Sequence, residues 1–291
     1  MNNKIAKILS LIPDNWYLRL RYLMYAKKIL HLRNPKRFNE KLQWLKIYNR
    51  RPEYTIMVDK YLVRDYIKNT IGEEYLIPLI GVWDRVEDIN FDLLPEKFVI
   101  KCNHNSGEGM YICTDKSKMD VDKVKEGLKR GLEQDYYLCD REWPYKNVPR
   151  KIVAEQFLDD GSGKGLNDYK VFNFNGEPYM IQVDFDRFTE HKKNLYTTDW
   201  KLCDFSFNYP SHPEIEIPKP DTLEEMLKLS RILSKGNPYM RTDFYSVNGK
   251  LYFGELTFFP ASGYGIFTPD EVDFMLGEKI TLPEKKIVEK I

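Results

Sequence analysis

The chain has 291 residues, a formal net charge of +1 and 42% hydrophobic residues, which is typical of a globular protein with a sizeable core. No run approaches the roughly 18 apolar residues of a membrane-spanning helix, and no apolar stretch precedes a small-residue cleavage site, so we expect a cytoplasmic protein. The four cysteines show no CxxC pair and no metal-type spacing, and we expect reduced thiols. They are Cys102, Cys113, Cys139 and Cys203.

The charge is unevenly distributed along the chain. From Met1 to Arg51 there are thirteen basic and two acidic residues, a net charge of +11, and the remainder carries −10. A basic arm of this kind can be a solvated face, a surface that docks on the acidic body, or a binding site for anionic lipid or a polyanion. The sequence leaves these three interpretations open.

Three helices are predicted in the first part of the chain. Apolar residues interleaved with basic ones predict an amphipathic helix over about 15–32, which the Asn34-Pro35 pair ends. A second helix is predicted over 38–47. A third starts near Val58 and carries Asp59-Lys60. Residues 84–92 have the composition of an acidic loop.

Strand patterns begin after residue 97. Strands are predicted over 98–102 and 110–113, joined by the polar, glycine-bearing loop 103–109. A charged helix over 120–135 and a strand over 151–157 follow. Glycines of the loop allow close backbone approach to a ligand, its amides can donate to phosphate oxygens, and Lys101 at its entry adds a positive charge.

Further strands and helices alternate in the second half. The stretches 169–174 and 178–184 predict a hairpin across Asn175-Gly176, and 187–220 reads as irregular. A helix over 222–234 precedes a second hairpin, and a short acidic helix starts at Asp270. Hairpins with intervening helices indicate an α+β fold with antiparallel sheets. The chain has no Walker motif and no GxGxxG before a helix, which disfavours P-loop and dinucleotide sites.

The second hairpin, MRTDFYSVNGKLYFGELTFFP, carries the most informative side chains. Arg241 and Asp243 are two residues apart on its first strand, and Glu255 and Thr257 are two apart on its second, so each pair shares a face. If the faces coincide, the oxygens suit Mg²⁺ and the guanidinium suits a phosphate. A two-residue turn would place Asp243 and Glu255 on opposite faces, so we predict a three-residue loop that pairs 243 with 253 and 241 with 255.

The order of these motifs resembles the ATP-grasp superfamily, and more closely the TupA-like ATP-grasp family. The resemblance extends from about Phe38 to Gly277. It is carried by the stretches RFNEKLQWLKIYNR, VDKYLVRDYI, FVIKCNHNSGEG, KIVAEQFLDD, DYKVFNFNGEP and YMRTDFYSVNGKLYFGELTFFPASG.

The resemblance implies two nucleotide-binding lysines and a loop over the phosphates. Lys60 matches the first lysine, in the predicted helix, and Lys101 the second. Residues 104–109 match the phosphate-covering loop, with Ser106, Gly107 and Gly109 as its small residues. His104 is not a general superfamily feature, and it either contacts a phosphate or acyl phosphate or orders the loop.

The resemblance also implies the remaining contacts with ATP and Mg²⁺. Backbone groups of Gln156 and Leu158, in the linker that begins at Glu155, match those that read the adenine edge, and Phe157 packs nearby. Asp168 matches the ribose-binding acid, and Lys170 shares its face. Asp243, Glu255 and Thr257 match the metal ligands, although the superfamily usually has Asn where Thr257 stands. Arg241 matches the group that stabilises the transferring phosphoryl.

The implied fold is two α+β subdomains that grip a nucleotide, preceded by a basic helical arm. We assign the arm to residues 1–57, the ATP-grasp domain to 58–277 and a C-terminal tail to 278–291. Within the domain, 58–96 is a reduced N-terminal part, 97–157 a lid subdomain with the phosphate loop, and 158–277 a subdomain with the metal site.

The implied function is an ATP- and Mg²⁺-dependent carboxylate–amine ligase of bacterial surface polysaccharide or capsule biosynthesis, because the TupA-like family is associated with such polysaccharides and with teichuronopeptide synthesis. Its substrates would be a small-molecule or sugar-linked carboxylate and an amine, with no nucleic acid. A nucleotide-sugar glycosyltransferase, an ATP-grasp kinase and a non-catalytic scaffold remain alternatives. Peripheral contact with the inner face of the membrane through the basic arm is a further expectation.

Candidate residues for binding the acceptor substrate border the segment 187–220. This segment either closes over a substrate or is a solvated loop. The candidate residues are Asp184, Asp186, Arg187, His191, Lys192 and Lys193.

Overall fold

The protein is described here by a computed structural model, which covers residues 9–163, 165–186 and 192–285. The described chain divides into two compact units. The first unit consists of residues 51–158, and the second of the described residues before Arg51 and after Leu158.

The first unit is built around a four-stranded antiparallel sheet with the strand order β1-β4-β2-β3. Its strands are β1 (Leu79–Trp83), β2 (Phe98–Cys102), β3 (Met110–Cys113) and β4 (Ile152–Gln156). Two helices precede this unit in the chain, so its own helices are labelled α3 to α6. They are α3 (Glu53–Val58), α4 (Val63–Thr70), α5 (Val121–Glu133) and α6 (Tyr136–Asp140).

The core of the first unit is formed by buried side chains on one face of β2 and on one face of helix α5. Phe98, Ile100 and Cys102 alternate on one face of β2 and are buried. Val124 and Leu128, four residues apart on α5, join them in one apolar cluster. The base of loop 103–109 is thereby held between β2 and β3.

The second unit contains a five-stranded antiparallel sheet with the order β10-β9-β5-β6-β7 and a two-stranded sheet of β8 and β11. The large sheet consists of β5 (Asp168–Phe174), β6 (Glu177–Phe185), β7 (Lys192–Thr197), β9 (Tyr239–Val247) and β10 (Lys250–Thr257). The small sheet pairs β8 (Ser206–Phe207) with β11 (Phe267–Thr268). The helices are α1 (Asp14–Ala26), α2 (Phe38–Tyr48), α7 (Leu223–Ser234) and α8 (Glu271–Lys279).

The basic arm docks on the acidic C-terminal helix of the same unit. Arg37, just before α2, pairs with Asp270 at 2.9 Å and with Asp273 at 3.4 Å, and Lys28 also pairs with Asp270. A Cβ on Gly277 of α8 would lie 2.1 Å from the carbonyl oxygen of Lys36, so only glycine allows this approach. This part of the basic arm therefore docks on the body of the protein, which is one of the three interpretations that the sequence left open.

Several predicted elements differ from the structure. The helix predicted over 15–32 ends at Ala26, where Lys27 adopts a left-handed conformation. Strand β1 was not predicted. The segment 187–220 is not irregular throughout, because Lys192–Thr197 forms the edge strand β7; Arg187 and His191 lie outside the described residues. The other predicted helices and strands are confirmed to within a few residues, apart from the helix near Val58, treated below.

Within the described residues, no helix is both long enough and apolar enough to cross a membrane.

Candidate functional site

The turn of the β9–β10 hairpin differs from the prediction, yet the expected side chains still meet. Val247 pairs with Lys250 across a two-residue turn whose Asn248 and Gly249 both have positive φ, so the predicted three-residue loop is wrong. A β-bulge between Phe253 and Glu255 then shifts the register by one residue. It brings Glu255 opposite Asp243, and Thr257 opposite Arg241, on one face of the sheet. The predicted pairs, 243 with 253 and 241 with 255, are therefore also wrong.

Gly254 is the extra residue of this bulge. A Cβ at this position would lie 3.1 Å from the carbonyl oxygen of Asp243, a tight contact that glycine avoids. The sequence signal for the bulge was therefore the glycine in GKLYFGEL, which interrupts an otherwise regular strand pattern.

Arg241 lies at the centre of this cluster. Its Nε donates to Asp243 Oδ1 at 2.7 Å, and its Nη2 donates to Asp243 Oδ2 at 2.6 Å. Nη2 also lies 3.0 Å from Glu255 Oε1 and 3.1 Å from Thr257 Oγ1, and the Thr257 hydroxyl donates to Glu255 Oε1 at 2.9 Å. Nη1 takes part in none of these bonds. The arginine thus holds two carboxylates and one hydroxyl in fixed positions.

Burial and neighbouring charges shift the pKa values in the cluster. Burial raises the pKa of Asp243 to about 7, although Arg241 and Lys170 act in the opposite direction. Burial acts to lower the pKa of Arg241, but Asp243 and Glu255 outweigh it and raise that pKa, so the guanidinium stays charged. A divalent cation beside Asp243 would favour its ionised form.

A second charged group lies on the neighbouring strands of the same sheet. Lys170 on β5 is directly opposite Asp243, and its Nζ bonds to Asp168 and, at 2.8 Å, to Asp184 Oδ2 on β6. Gln182 Nε2 donates to the other oxygen of Asp184 at 2.6 Å. Burial acts to raise the pKa of Asp184, but Lys170 outweighs it and lowers that pKa to about 2. The cluster therefore continues from β10 to β6.

In the first unit, Glu155 joins two cations. Its Oε2 lies 2.5 Å from Lys101 Nζ, and its Oε1 accepts from Arg64 Nη1 at 3.1 Å. Glu155 is at the end of β4 and is paired with Val99 of β2, which places Lys101 two residues further along the same strand. Sequence reasoning identified Lys101 and Glu155 but missed Arg64, which stands in the quoted stretch VDKYLVRDYI.

Lys60 is not part of a helix, so the predicted helix that starts near Val58 and carries Asp59-Lys60 is wrong at this position. Asp59 and Lys60 lie between α3 and α4, where Asp59 Oδ1 accepts from the backbone N–H groups of Tyr61 and Leu62. Asn103 Nδ2 also donates to Asp59 Oδ1 at 2.8 Å, and Lys60 Nζ bonds to the carbonyl oxygen of Asn105. The DK turn is thus tied to the base of loop 103–109, a link that the sequence did not reveal.

The loop has a fixed base and an exposed tip. His104 Nε2 lies 3.1 Å from the Gln134 carbonyl oxygen, and Asn105 Nδ2 donates to the Gly131 carbonyl at 3.2 Å. Ser106 and Gly107 are exposed, whereas Gly109 is buried against α5. Burial lowers the pKa of His104 to about 4, so the ring is neutral at pH 7. In this structure His104 orders the loop; a contact with phosphate stays a prediction.

The linker residues leave β4 at its exposed end. The backbone N–H of Gln156 donates to the Pro78 carbonyl at 2.9 Å, which pins the end of the strand. Phe157 and Leu158 are half-buried, and Lys97 Nζ lies 5.8 Å from the centre of the Phe157 ring. The adenine-binding role of this segment stays a prediction.

The order and geometry of these groups agree with a family match. The sequence model of the family described as TupA-like ATPgrasp matches residues 40–281, more than four-fifths of the chain. The chain belongs to the TupA-like ATP-grasp family. The predicted family, α+β class and ATP-grasp fold are therefore confirmed. No curated protein sequence matches the chain significantly.

Solved structures give weaker likenesses. The ATP complex of D-alanine–D-alanine ligase from Bacillus anthracis has 20% identity and a TM-score of 0.40, over 69% of this chain and 53% of that one. The Helicobacter pylori D-alanine–D-alanine ligase has 16% identity and a TM-score of 0.44, over 84% and 69%. N5-carboxyaminoimidazole synthetase from Staphylococcus aureus has 14% identity and a TM-score of 0.39, over 69% and 44%. The chain thus spans about half the length of the first of these ligases, and the family match alone identifies its family.

The oxygens of Asp243, Glu255 and Thr257 fit Mg²⁺ better than a transition metal. In the described part of the chain, no group of three or more His, Cys, Asp or Glu side chains is arranged to hold a metal by itself. Mg²⁺ is usually held by one or two carboxylates together with water and substrate phosphates. Two carboxylates and a hydroxyl around one arginine match that donor set, and the phosphates would complete it.

Proposed function

We propose that this protein is an ATP- and Mg²⁺-dependent carboxylate–amine ligase that forms an amide through an acyl phosphate. The observation that carries the proposal is the cluster in which Arg241 holds Asp243, Glu255 and Thr257 within 3.1 Å on one face of the sheet. Carboxylates and a positioned guanidinium are the groups that phosphoryl transfer requires, because its catalysis consists mainly of positioning and charge neutralisation.

The lysines of the first unit are assigned to the nucleotide. Lys60 and Lys101 are each held by an oxygen of their own unit, which fixes their ammonium groups before a ligand arrives. Lys101 would exchange part of its contact with Glu155 for phosphate oxygens, and Arg64 would keep the glutamate paired. The tip 106–108, with the φ of Gly107 at 89°, presents backbone N–H groups that suit phosphate oxygens. The linker 155–158 is assigned to the adenine and Asp168 with Lys170 to the ribose side.

The carboxylates of the second unit are assigned to the metal. Bound Mg²⁺ would neutralise charge on the phosphates. Asp243 and Glu255 would supply one oxygen or more each, and Thr257 a weaker hydroxyl ligand, which supports one firmly held ion rather than two. Arg241, through the Nη1 that its carboxylates do not use, would stabilise the negative charge of the transferring phosphoryl group and of the later oxyanion.

The proposed reaction balances in two steps. An oxygen of the carboxylate substrate bonds to the γ-phosphorus, and the bond from that phosphorus to the β,γ-bridging oxygen breaks to release ADP. The amine nitrogen then bonds to the acyl carbon, the carbon–oxygen bond to phosphate breaks, and the amine loses a proton as inorganic phosphate leaves. Chain residues need only hold the reactants and stabilise charge, since no nucleophilic side chain is required.

The TupA-like family membership supports a role in bacterial surface polysaccharide or capsule assembly. A sugar-linked carboxylate, such as a uronic acid, and an amino compound are the substrate classes we propose. Lys193 on β7, whose Nζ lies 4.3 Å from the Tyr209 ring centre, pairs across the sheet with Asp184 on β6, and we propose these two groups for the acceptor side.

The test is Mg²⁺-dependent ADP release from ATP in the presence of pooled uronic acids and pooled amines. We expect release only when a carboxylate and an amine are both present, and less than 1% of that rate in Arg241→Lys, which keeps the charge but loses the bidentate contact. Release with a hydroxyl acceptor alone would identify a kinase instead. Release of UDP from a UDP-sugar, with no ADP from ATP, would identify a glycosyltransferase.

A further inference from the structure

Helix α1 has apolar side chains on two opposite sides. Leu18 and Tyr22 are fully buried against the second unit. On the other side, four large apolar residues are between 51% and 69% exposed. These four residues, called here the outer face of α1, are Trp16, Leu20, Leu23 and Met24. At about 100° per residue they fall within an arc of roughly 100°, so they form one continuous strip.

The outer face is held in place by contacts on the inner side of the helix. Tyr22 and Tyr25 pack against Tyr264 with ring centres 6.3 and 5.5 Å apart. Arg19 Nη1 donates to the Leu30 carbonyl at 3.1 Å, and Asp14 at the start of the helix pairs with Arg50. The helix is therefore anchored at both ends, and its exposed strip is a built feature of the surface.

The segment that contains the outer face is strongly basic, with a net charge of +11 over residues 1–51. Lys27, Arg33 and Lys36 are exposed close to the end of the helix in sequence. The two acidic residues of the arm are engaged elsewhere, since Asp14 pairs with Arg50 and Glu40 accepts from the backbone N–H groups of residues 31, 36 and 37. An apolar strip in a segment with a large excess of cations is complementary to a surface that is both apolar and anionic.

Two further exposed apolar residues flank the helix in the sequence. Leu11, before the helix, and Ile29, after it, are strongly exposed. Monomeric proteins rarely expose contiguous apolar areas of this kind without a binding role. Helices that lie in the membrane interface typically carry Trp and Leu on one side and Lys and Arg at its margins. The Trp ring and the apolar stem of lysine fit the level of the lipid headgroups.

We propose that the outer face of α1 docks this protein on an anionic lipid surface, with the helix lying in the interface plane. Trp16, Leu20, Leu23 and Met24 enter the boundary between headgroups and acyl chains, while Lys27, Arg33 and Lys36 contact anionic headgroups. Each cation near such a surface adds an attraction that salt screens, and the apolar strip adds a term that salt does not screen. This attachment is separate from the proposed ligase reaction, which none of these residues serves.

The test is co-sedimentation of the full chain with vesicles of phosphatidylcholine alone or with about 30% phosphatidylglycerol. We expect binding to the anionic vesicles only, with at least a tenfold loss of affinity for Leu20→Gln/Leu23→Gln. The matched control, Leu93→Gln/Ile266→Gln, also removes two exposed apolar residues and should bind like the wild type. Lys27→Glu/Lys36→Glu should lose the preference for anionic vesicles.

Three outcomes would overturn the proposal. They are absence of binding to either vesicle, binding that Leu20→Gln/Leu23→Gln leaves unchanged, and a self-association in sedimentation equilibrium that this variant abolishes without any vesicle binding. The last outcome would make the outer face an interface between two copies of the chain. Because the replaced side chains are exposed, thermal unfolding should agree with the wild type within about 2 °C, which separates lost docking from lost folding. ADP release from soluble substrates should be unchanged, so failure here would not affect the proposed ligase function.

Discussion

The two units present their charged groups in different ways. In the second unit, Arg241, Asp243 and Lys170 are buried. Arg241 bonds to Asp243 on its own strand, and Lys170, opposite Asp243 on β5, bonds to Asp168 and to Asp184 on β6. In the first unit, loop 103–109 has a buried base but an exposed tip at Ser106 and Gly107. Side chains that strand pairing holds in place suit a preorganised metal site. An exposed loop tip on a fixed base suits a loop that must let a ligand enter and then cover it.

The largest effect is expected when the central cation of the second unit is removed. Arg241→Met leaves Asp243 and Glu255 without their shared partner and should lower the free energy of unfolding by about 3–5 kcal/mol. Urea unfolding measures this. The control Arg231→Met breaks only the exposed pair with Glu177 and should cost less than about 1 kcal/mol. Equal losses in the two variants would show that the buried cluster is not held by Arg241.

A pH effect is expected from the base of the loop. The folded-state pKa of His104 is about 4, below its ordinary value of 6.5, so the neutral ring is favoured and its contribution is fully present above pH 6.5. This contribution should be lost as the pH falls through 6.5 towards 4, by up to about 3 kcal/mol. His104→Gln should lack this part of the pH dependence when unfolding free energies are compared at pH 4, 5, 6 and 7. Parallel curves for the two proteins would contradict a buried neutral histidine.

Two glycines distinguish the base of the loop from its tip. Both have positive φ, so alanine is strained at either position by about 1 kcal/mol. At Gly109 the new Cβ would also lie 2.7 Å from Cys102 Sγ and 3.0 Å from Gly131 Cα, whereas at Gly107 nothing lies within 4 Å. Gly109→Ala should therefore cost about 1–3 kcal/mol more than Gly107→Ala in chemical denaturation. The reverse order would contradict the difference between base and tip.

The smallest effect on stability is expected at Lys101. Its partner Glu155 keeps Arg64, so Lys101→Met leaves no buried carboxylate unpaired and removes one bond, which should change the free energy of unfolding by about 1 kcal/mol. The affinity for MgATP should nevertheless fall at least tenfold, because a phosphate contact is lost, and calorimetric titration measures this. Unchanged affinity in a folded variant would remove Lys101 from the proposed nucleotide site.

The sequence predicted the parts of the fold that local patterns determine. Strands β2 and β3 and the Asn175-Gly176 hairpin follow from period-two alternation and turn chemistry, and the structure confirms them. The predicted β9–β10 register, which pairs 243 with 253 and 241 with 255, is wrong by two residues. Turn chemistry at Asn248-Gly249 correctly indicates a two-residue turn, and the register shift arises six residues later at Gly254, where a single glycine does not specify a bulge.

Long-range contacts were outside the reach of the sequence. Arg64 joins Glu155 from 91 residues away, and Asn103 joins Asp59 from 44 residues away. The edge strand β7 was missed because its residues, KKNLYT, are polar at the start and show no clear alternation. The candidate residues themselves were found because motif order, rather than any single motif, distinguishes this family.

Binding of MgATP at the Asp243–Glu255 cluster is tested by the unfolding midpoint with Mg²⁺ and ATP, or Mg²⁺ and a UDP-sugar, for the wild type and Glu255→Gln. At 100 times its Kd, a ligand stabilises the folded protein by about 2.7 kcal/mol, a readily measured shift. We expect that MgATP alone raises the midpoint of the wild type and that Glu255→Gln loses most of this rise, while the exposed control Glu177→Gln keeps it. A rise with UDP-sugars and none with ATP, or a full MgATP rise in Glu255→Gln, would contradict this expectation.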